Sequence, residues 1–242
     1  MVQHGQIDRK FGQPRVSVEP TPEQADNPSE EGRVADCREE KELNLVAGAL
    51  IRDAIADALD GWIGNIAVPD SGGASVARRS LIFDYGDMTA LPATVPPAFR
   101  RKRLVSVAGS SLFAELAVVR LFKLAGWTAY WRDGYGGGWV ADGDLERSHL
   151  PQLPASLGSS VVADVTRARG GLSGCWDVVA WKANLVVFAE CKRRRGDRLT
   201  GKQGRWLRSA LDVGLPNEAF VVVEWDFASR PNVASRRAGP AG

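Results

Sequence analysis

Two carboxylates, an ammonium and a carboxamide recur at intervals that a small sheet would bring together. Glu190-Cys191-Lys192 closes the apolar run Leu185-Val186-Val187-Phe188-Ala189, Asp177 lies thirteen residues before Glu190, and Gln203 lies eleven after Lys192. A pleated strand sends alternate side chains to opposite faces, so Glu190 and Lys192 emerge on the same side. Cys175-Trp176-Asp177-Val178-Val179-Ala180-Trp181 reads as a second strand, and Lys182-Ala183-Asn184 is short enough to close a hairpin between the two. Asp177 is then expected beside Glu190.

Two carboxylates at the end of an apolar hairpin repel one another and resist desolvation unless positive charge joins them. A hard divalent cation meets that need. Magnesium favours one or two carboxylates, retained waters and phosphate oxygen, and the backbone carbonyl of Cys191 is a candidate further ligand. Such an ion acidifies water and offsets charge on a phosphodiester, while Lys192 would orient the water or stabilise the same charge. An ordinary hairpin ending in a solvated Glu-Lys pair would show the same three residues, so the flanking elements have to decide.

Thr200-Gly201-Lys202-Gln203 has capping-box form, and Trp206, Leu207, Ala210 and Leu211 follow at helical spacing, with Gly214 as a stop before Pro216. Capping alone would account for Gln203. Ala219 to Trp225 is a continuous apolar run, typical of a strand covered on both faces. Upstream, Ser110 to Ala125 reads as a helix with Leu112, Leu116, Val119 and Phe122 on one side and Gly126 as terminator. Glu115 falls in that sector, either as a third acidic group near a metal or as a rim carboxylate paired with Lys or Arg. Trp127 to Trp131 follows as a strand.

The order helix, strand, long excursion, strand, strand, helix, strand resembles the PD-(D/E)xK nuclease superfamily and, within it, the VRR-NUC (virus-type replication-repair nuclease) family. The residues that carry the resemblance are Glu115, Gly174-Cys175-Trp176-Asp177, Glu190-Cys191-Lys192, and Asp197-Arg198-Leu199 leading to Gln203 and Trp206-Leu207. The resemblance implies an α/β fold, with a restriction-endonuclease-like αβββαβ core and a mixed sheet flanked by helices. In it Asp177 and Glu190 would bind Mg2+ or Mn2+, Lys192 would be the catalytic lysine, and Glu115 and Gln203 would complete the catalytic set. Trp176 stands where the family usually has proline, and residues 132–172 are long for a connection between neighbouring strands. The implied layout is a disordered arm at 1–37, a helical and irregular extension with linker at 38–107, the core at 108–226 and a disordered tail at 227–242.

The charge distribution fits a phosphate-rich substrate. The chain of 242 residues carries a formal charge of only +2, yet residues 1 to 60 hold 13 acidic and 7 basic groups, leaving 24 basic and 16 acidic groups in the remainder. Arg193, Arg194, Arg195, Arg198, Lys202 and Arg205 crowd behind Lys192 as candidate DNA-backbone contacts. Only His4 and His149 are present, so zinc cages are poorly supplied, and the three cysteines Cys37, Cys175 and Cys191 suit a reducing cytoplasm better than a disulfide framework. No apolar run approaches a membrane span, and the first residues lack the apolar stretch of a secretory signal. The arm at 1–37 is proline-rich and charged, 39–62 has helical character, 81–85 reads as a strand, and 134–138 as a glycine loop. The expectation is a magnesium-dependent nuclease acting on DNA, with branched or flap structures implied by resemblance, no membrane partner and a homodimer as an open option. The alternatives are a DNA-binding scaffold without turnover and a sequence-specific restriction-like endonuclease.

Overall fold

A nine-stranded mixed sheet, covered by helices on both faces, organises the chain. The computed structural model describes residues 48–90, 100, 102–134, 138–141, 150 and 152–228, all within one compact unit spanning 41–242. The strands are β1 (Trp62–Ala67), β2 (Ser75–Tyr85), β3 (Val105–Val107), β4 (Ser110–Leu112), β5 (Thr128–Arg132), β6 (Trp139–Ala141), β7 (Val178–Lys182), β8 (Leu185–Arg193) and β9 (Phe220–Phe227). The helices are α1 (48–58), α2 (Ala114–Leu124), α3 (Leu157–Arg169) and α4 (Gly201–Asp212). Across the sheet the order is β4-β3-β2-β9-β8-β7-β5-β6, with β1 paired to β2 beside β3. β5, β7 and β8 form an antiparallel meander, and β8, β9 and β2 run parallel.

The unbroken apolar runs of β8 and β9 follow from this placement, since their two faces feed two cores. Val187, Ala189, Val221 and Val223 join α1 and α2 on one side, while Phe188, Phe220 and Val222 join α3 and α4 on the other. Phe188 stacks on Phe220 at 5.3 Å, and Trp206 of α4 meets Phe188 edge-on at 5.0 Å. Trp206 and Leu207 are fully buried, which accounts for the helical spacing of the apolar residues after Thr200.

The β7–β8 hairpin forms as expected but is shifted: β7 starts at Val178 rather than Cys175, and Lys182 pairs with Leu185, which shortens the connection to Ala183-Asn184 with Ala183 at φ 52°. Other elements differ. Residues 110–112, read as the start of a helix, are β4 and pair with β3 across Ala108-Gly109, both at positive φ. A turn that needs two left-handed residues cannot continue into a helix, so α2 begins four residues later, at Ala114. Within 38–107, read as helical and irregular, β1, β2 and β3 add to the sheet, and among the described residues the helical parts are α1 at 48–58 and a 3-10 turn at Met88–Ala90. The long excursion after β5 contains β6 and α3, the latter opened by a capping box between Ser156 and Ser159. The arm at 1–37, nearly all of the tail, Cys37, His149 and the middle of the glycine loop lie outside the described residues.

The β1–β2 connection presses on the start of α4. A Cβ added at Gly204 would sit 1.4 Å from the carbonyl oxygen of Pro69, so only glycine allows this approach. Alanine raises helix propensity by about 1 kcal/mol, but a backbone clash of this kind costs more than that. Gly204→Ala is therefore expected to cost about 2 kcal/mol or more of unfolding free energy, read as a lower urea midpoint at unchanged m-value. An unchanged midpoint would mean that the loop yields freely.

Candidate active site

The last residue pair of the β7–β8 ladder is Val178 with Ala189; beyond it the two chains exchange side chains instead of carbonyls. The Asp177 amide donates to Glu190 Oε2 at 3.2 Å, and the Cys191 amide donates to Asp177 Oδ2 at 2.9 Å. Each carboxylate thus caps a backbone N–H of the other strand. Lys192 Nζ lies 2.7 Å from Glu190 Oε1, as expected for side chains two residues apart on one face. Gln203 Nε2 donates to the same Glu190 oxygen, while Gln203 Oε1 accepts the Thr200 amide at 2.8 Å. Gln203 therefore caps α4 and holds Glu190 at once.

A short approach fixes the loop that carries Asp177. Gly174, at φ 86°, lies so near α4 that a Cβ there would come within 2.1 Å of the Lys202 carbonyl oxygen. Trp176 is fully buried, donates its indole N–H to the Gln203 carbonyl at 3.4 Å and packs edge-on against Phe220 at 5.1 Å. A large apolar anchor at this position holds the backbone to α4 by packing.

These groups open on a cleft of about 490 Å3, lined by Glu115, Asp177, Glu190, Lys192 and Gln203 together with Lys102, Arg103, Asp197 and Trp225. Glu190 is 1% exposed, whereas Asp177 is half-buried at the cleft wall. Loss of solvent pushes the Asp177 carboxyl well above the usual carboxylate range, and the charges of Glu190 and Glu115 push it further. Burial also raises Glu190, against the pull of Lys192. Burial alone would lower the Lys192 ammonium, but Glu190, Asp177 and Asp197 outweigh it and hold its pKa above the ordinary value. Lys192 is a cation at neutral pH. The Cys191 thiol is buried on the opposite face and pushed up by desolvation, so it stays protonated; the role expected at this position was for its backbone carbonyl.

Glu115 reaches the cleft wall, but Lys102 Nζ meets its Oε1, which is the rim-pair arrangement weighed from sequence. Among the described residues, no three His, Cys, Asp or Glu side chains converge as a metal cluster, and Asp177 with Glu190 are the acidic pair available. Lys102 and Arg103 were given no site role from sequence. Lys102 lies 5.7 Å from the Phe113 ring and 5.4 Å from the Trp131 ring, an approach through tertiary packing that no spacing in the chain encodes. In the sequence its one trace is that Lys102 belongs to the basic run Arg100-Arg101-Lys102-Arg103.

The basic residues after Lys192 divide into two groups. The Arg193 guanidinium lies over the rings of Trp225 and Phe227 at 5.8 and 5.5 Å, and Arg194 donates to Ser80 Oγ. Both are half-buried, so they do not form the uniform exposed cluster their charge suggests. Arg205 is exposed but bridges to Asp70 at 2.5 Å, tying α4 to the β1–β2 connection. Arg195, Arg198 and Lys202 are exposed.

No protein-family model matches this chain, and no curated protein or solved structure does. No helix among the described residues is long and apolar enough to cross a membrane.

Asp177 gives a pH prediction. Its folded pKa is raised, so its contribution to stability is present below the unfolded value near ~3.9 and is lost as pH rises through the folded pKa. Asp177→Asn keeps an acceptor for the Cys191 amide without the charge. In EDTA, the variant is expected to melt at the same temperature as the parent near pH 4 and above it at pH 7 to 8. A gap that narrows with rising pH would contradict the charge repulsion.

Proposed function

We propose that this protein is a metal-dependent nuclease that hydrolyses phosphodiester bonds of DNA, on branched or flap structures in replication, repair or recombination. The observation that carries this reading is the interlaced pair Asp177–Glu190, with Lys192 Nζ 2.7 Å from Glu190, facing a cleft with basic residues in its wall. The succession α2-β5-β7-β8-α4-β9 supports it, because that order and sheet pairing suit a restriction-endonuclease-like αβββαβ core. Resemblance to the VRR-NUC family supplies the substrate class.

The donor set fits a hard cation. Two acidic side chains meet where the sheet opens, and Asp177 is raised first by loss of solvent and then by the charges of Glu190 and Glu115. Asp177 and Glu190 would hold Mg2+ or Mn2+, with the Cys191 carbonyl as a further candidate oxygen. When bound, such an ion acidifies water and offsets charge on the phosphodiester. Lys192, held protonated, donates hydrogen bonds to the attacking water or to a non-bridging phosphate oxygen. Gln203 fixes the Glu190 carboxylate, so Glu190 presents a defined edge to the cleft. Arg195, Arg198 and Lys202 contact backbone phosphates outside the cleft.

Cleavage of labelled duplex, flap, four-way-junction and single-stranded DNA, with magnesium, manganese or EDTA, tests the proposal. Cleavage is expected with either metal and none with EDTA. Asp177→Asn, Glu190→Gln and Lys192→Ala are each expected to slow cleavage at least ~100-fold, about 2.7 kcal/mol of transition-state stabilisation, while remaining folded. Undiminished activity in EDTA or in folded Lys192→Ala would defeat the mechanism. Tight binding with no turnover on any substrate would favour the scaffold reading.

The exposed residues give a second measurement. Replacing Arg195, Arg198 and Lys202 together by alanine is expected to flatten the slope of log affinity against log salt by up to ~3 units. Arg193 and Arg194 are left intact because they pack on the sheet. An unchanged slope would show that the three cations lie outside the DNA path.

A further inference from the structure

Among the described residues, one buried guanidinium, that of Arg79, has no partner. Arg79 of β2 is level with Val223 of β9, and Val223 is level with Cys191 of β8. Side chains level with one another across a sheet share a face, so Arg79 lies on the side opposite Glu190 and Lys192. It is only 7% exposed, and its Nε is fully buried with no hydrogen-bond partner. Among the described residues its guanidinium makes neither an ion pair nor a hydrogen bond, and Asp60 acts on it only as a charge at a distance. Arginine is almost never buried unpaired, because the lost hydration has nothing to replace it.

Arg79 lines a cavity of about 210 Å3 between α1, the β1–β2 pair and the 3-10 turn Asn217–Ala219. Asn65, Ser75 and Asn217 add neutral polar groups to its wall. The single carboxylate on the wall among the described residues, Glu218, is held at 3.0 Å by Arg52, so it is offset before any ligand arrives. Trp62 stands at the rim, 60% exposed, although it is large and apolar. A planar guanidinium fork, neutral hydrogen-bonding groups around it and an aromatic face at the mouth are the parts of an oxyanion site with room for an organic substituent.

We propose that this cavity binds a small phosphorylated molecule by its phosphate group, with Arg79 as the principal contact and Trp62 against the organic remainder. The site stands apart from the nuclease cleft and does not depend on that reading. A phosphate here supplies the hydrogen-bond acceptors that the guanidinium lacks among the described residues.

Isothermal titration of the full chain in EDTA and phosphate-free buffer, with inorganic phosphate in one arm and a nucleoside 5′-monophosphate in another, tests the proposal. Saturable one-site binding is expected in both arms, tighter for the nucleotide, whose base can lie on Trp62. Arg79→Met is expected to weaken binding at least about tenfold, and Arg79→Lys, which keeps charge but loses the fork, to weaken it less. Should Arg79→Met fail to fold, Ser75→Leu at the exposed end of β2 occupies the cavity with Arg79 intact and is expected to abolish binding. Absence of saturable binding in the parent protein, or equal affinity in the folded Arg79 and Ser75 variants, would overturn the site. Binding that is lost instead in an Arg195, Arg198 and Lys202 triple alanine variant would place the anion in the basic region and overturn it equally.

Discussion

The end of the β7–β8 ladder is the constraint from which the rest of the site follows. Where the strands part after Val178 and Ala189, two amides lose their carbonyl partners, and each is received by a carboxylate from the other strand. An unpaired buried amide costs about 1–3 kcal/mol, so Asp177 and Glu190 are held where they are by the backbone's own needs. That placement forces two like charges together. Lys192 and Gln203 offset part of the cost, while loss of solvent first and the neighbouring carboxylates second raise the proton affinity of Asp177. The arrangement stores a demand for positive charge at a point fixed by β-sheet geometry.

Helix α4 serves this point from the other side. Its N-terminal turn receives the Gly174–Trp176 loop, contributes Gln203 and is pressed by the Pro69 backbone. One turn of helix thereby joins the hairpin bearing the acidic pair to the β1–β2 strands at the sheet's other half. The large core aromatics Trp176, Phe188, Trp206 and Phe220 form a continuous group beneath it, so its position is set by packing as much as by hydrogen bonds.

Much of this was legible in the chain because local signals and tertiary demands agreed. The hairpin was readable from two apolar runs and the short connection Lys182-Ala183-Asn184, and α4 from its Thr200–Gln203 capping box. Glu190 and Lys192 meeting on one side required only strand alternation. Other features were hidden. Helix α3 starts with a Ser156–Ser159 box that lacks the usual acidic partner, and it buries only Gly158, Val162 and Val165, too few to mark a face. β4 carries Ser110-Ser111-Leu112, whose pairing depends on the left-handed turn at Ala108-Gly109. The sharing of basic residues between packing and solvent was invisible, because charge reads alike in Arg193 over an aromatic ring and Arg195 in water.

The parallel pairing of β2 with β9 has a consequence for how the chain is made. Ala77 must find Val221, and Phe83 must find Phe227, so β2 waits for a partner strand that is made long after it. Until then β2 carries an open hydrogen-bonding edge along a partly apolar strand, and an open edge invites pairing with another chain. During that interval Arg78 and Arg79 lie in its middle, side by side in sequence and pointing to opposite faces. Charge on both faces of an unpaired strand disfavours that pairing, so the arginine buried in the finished fold also bears on the strand before it is paired.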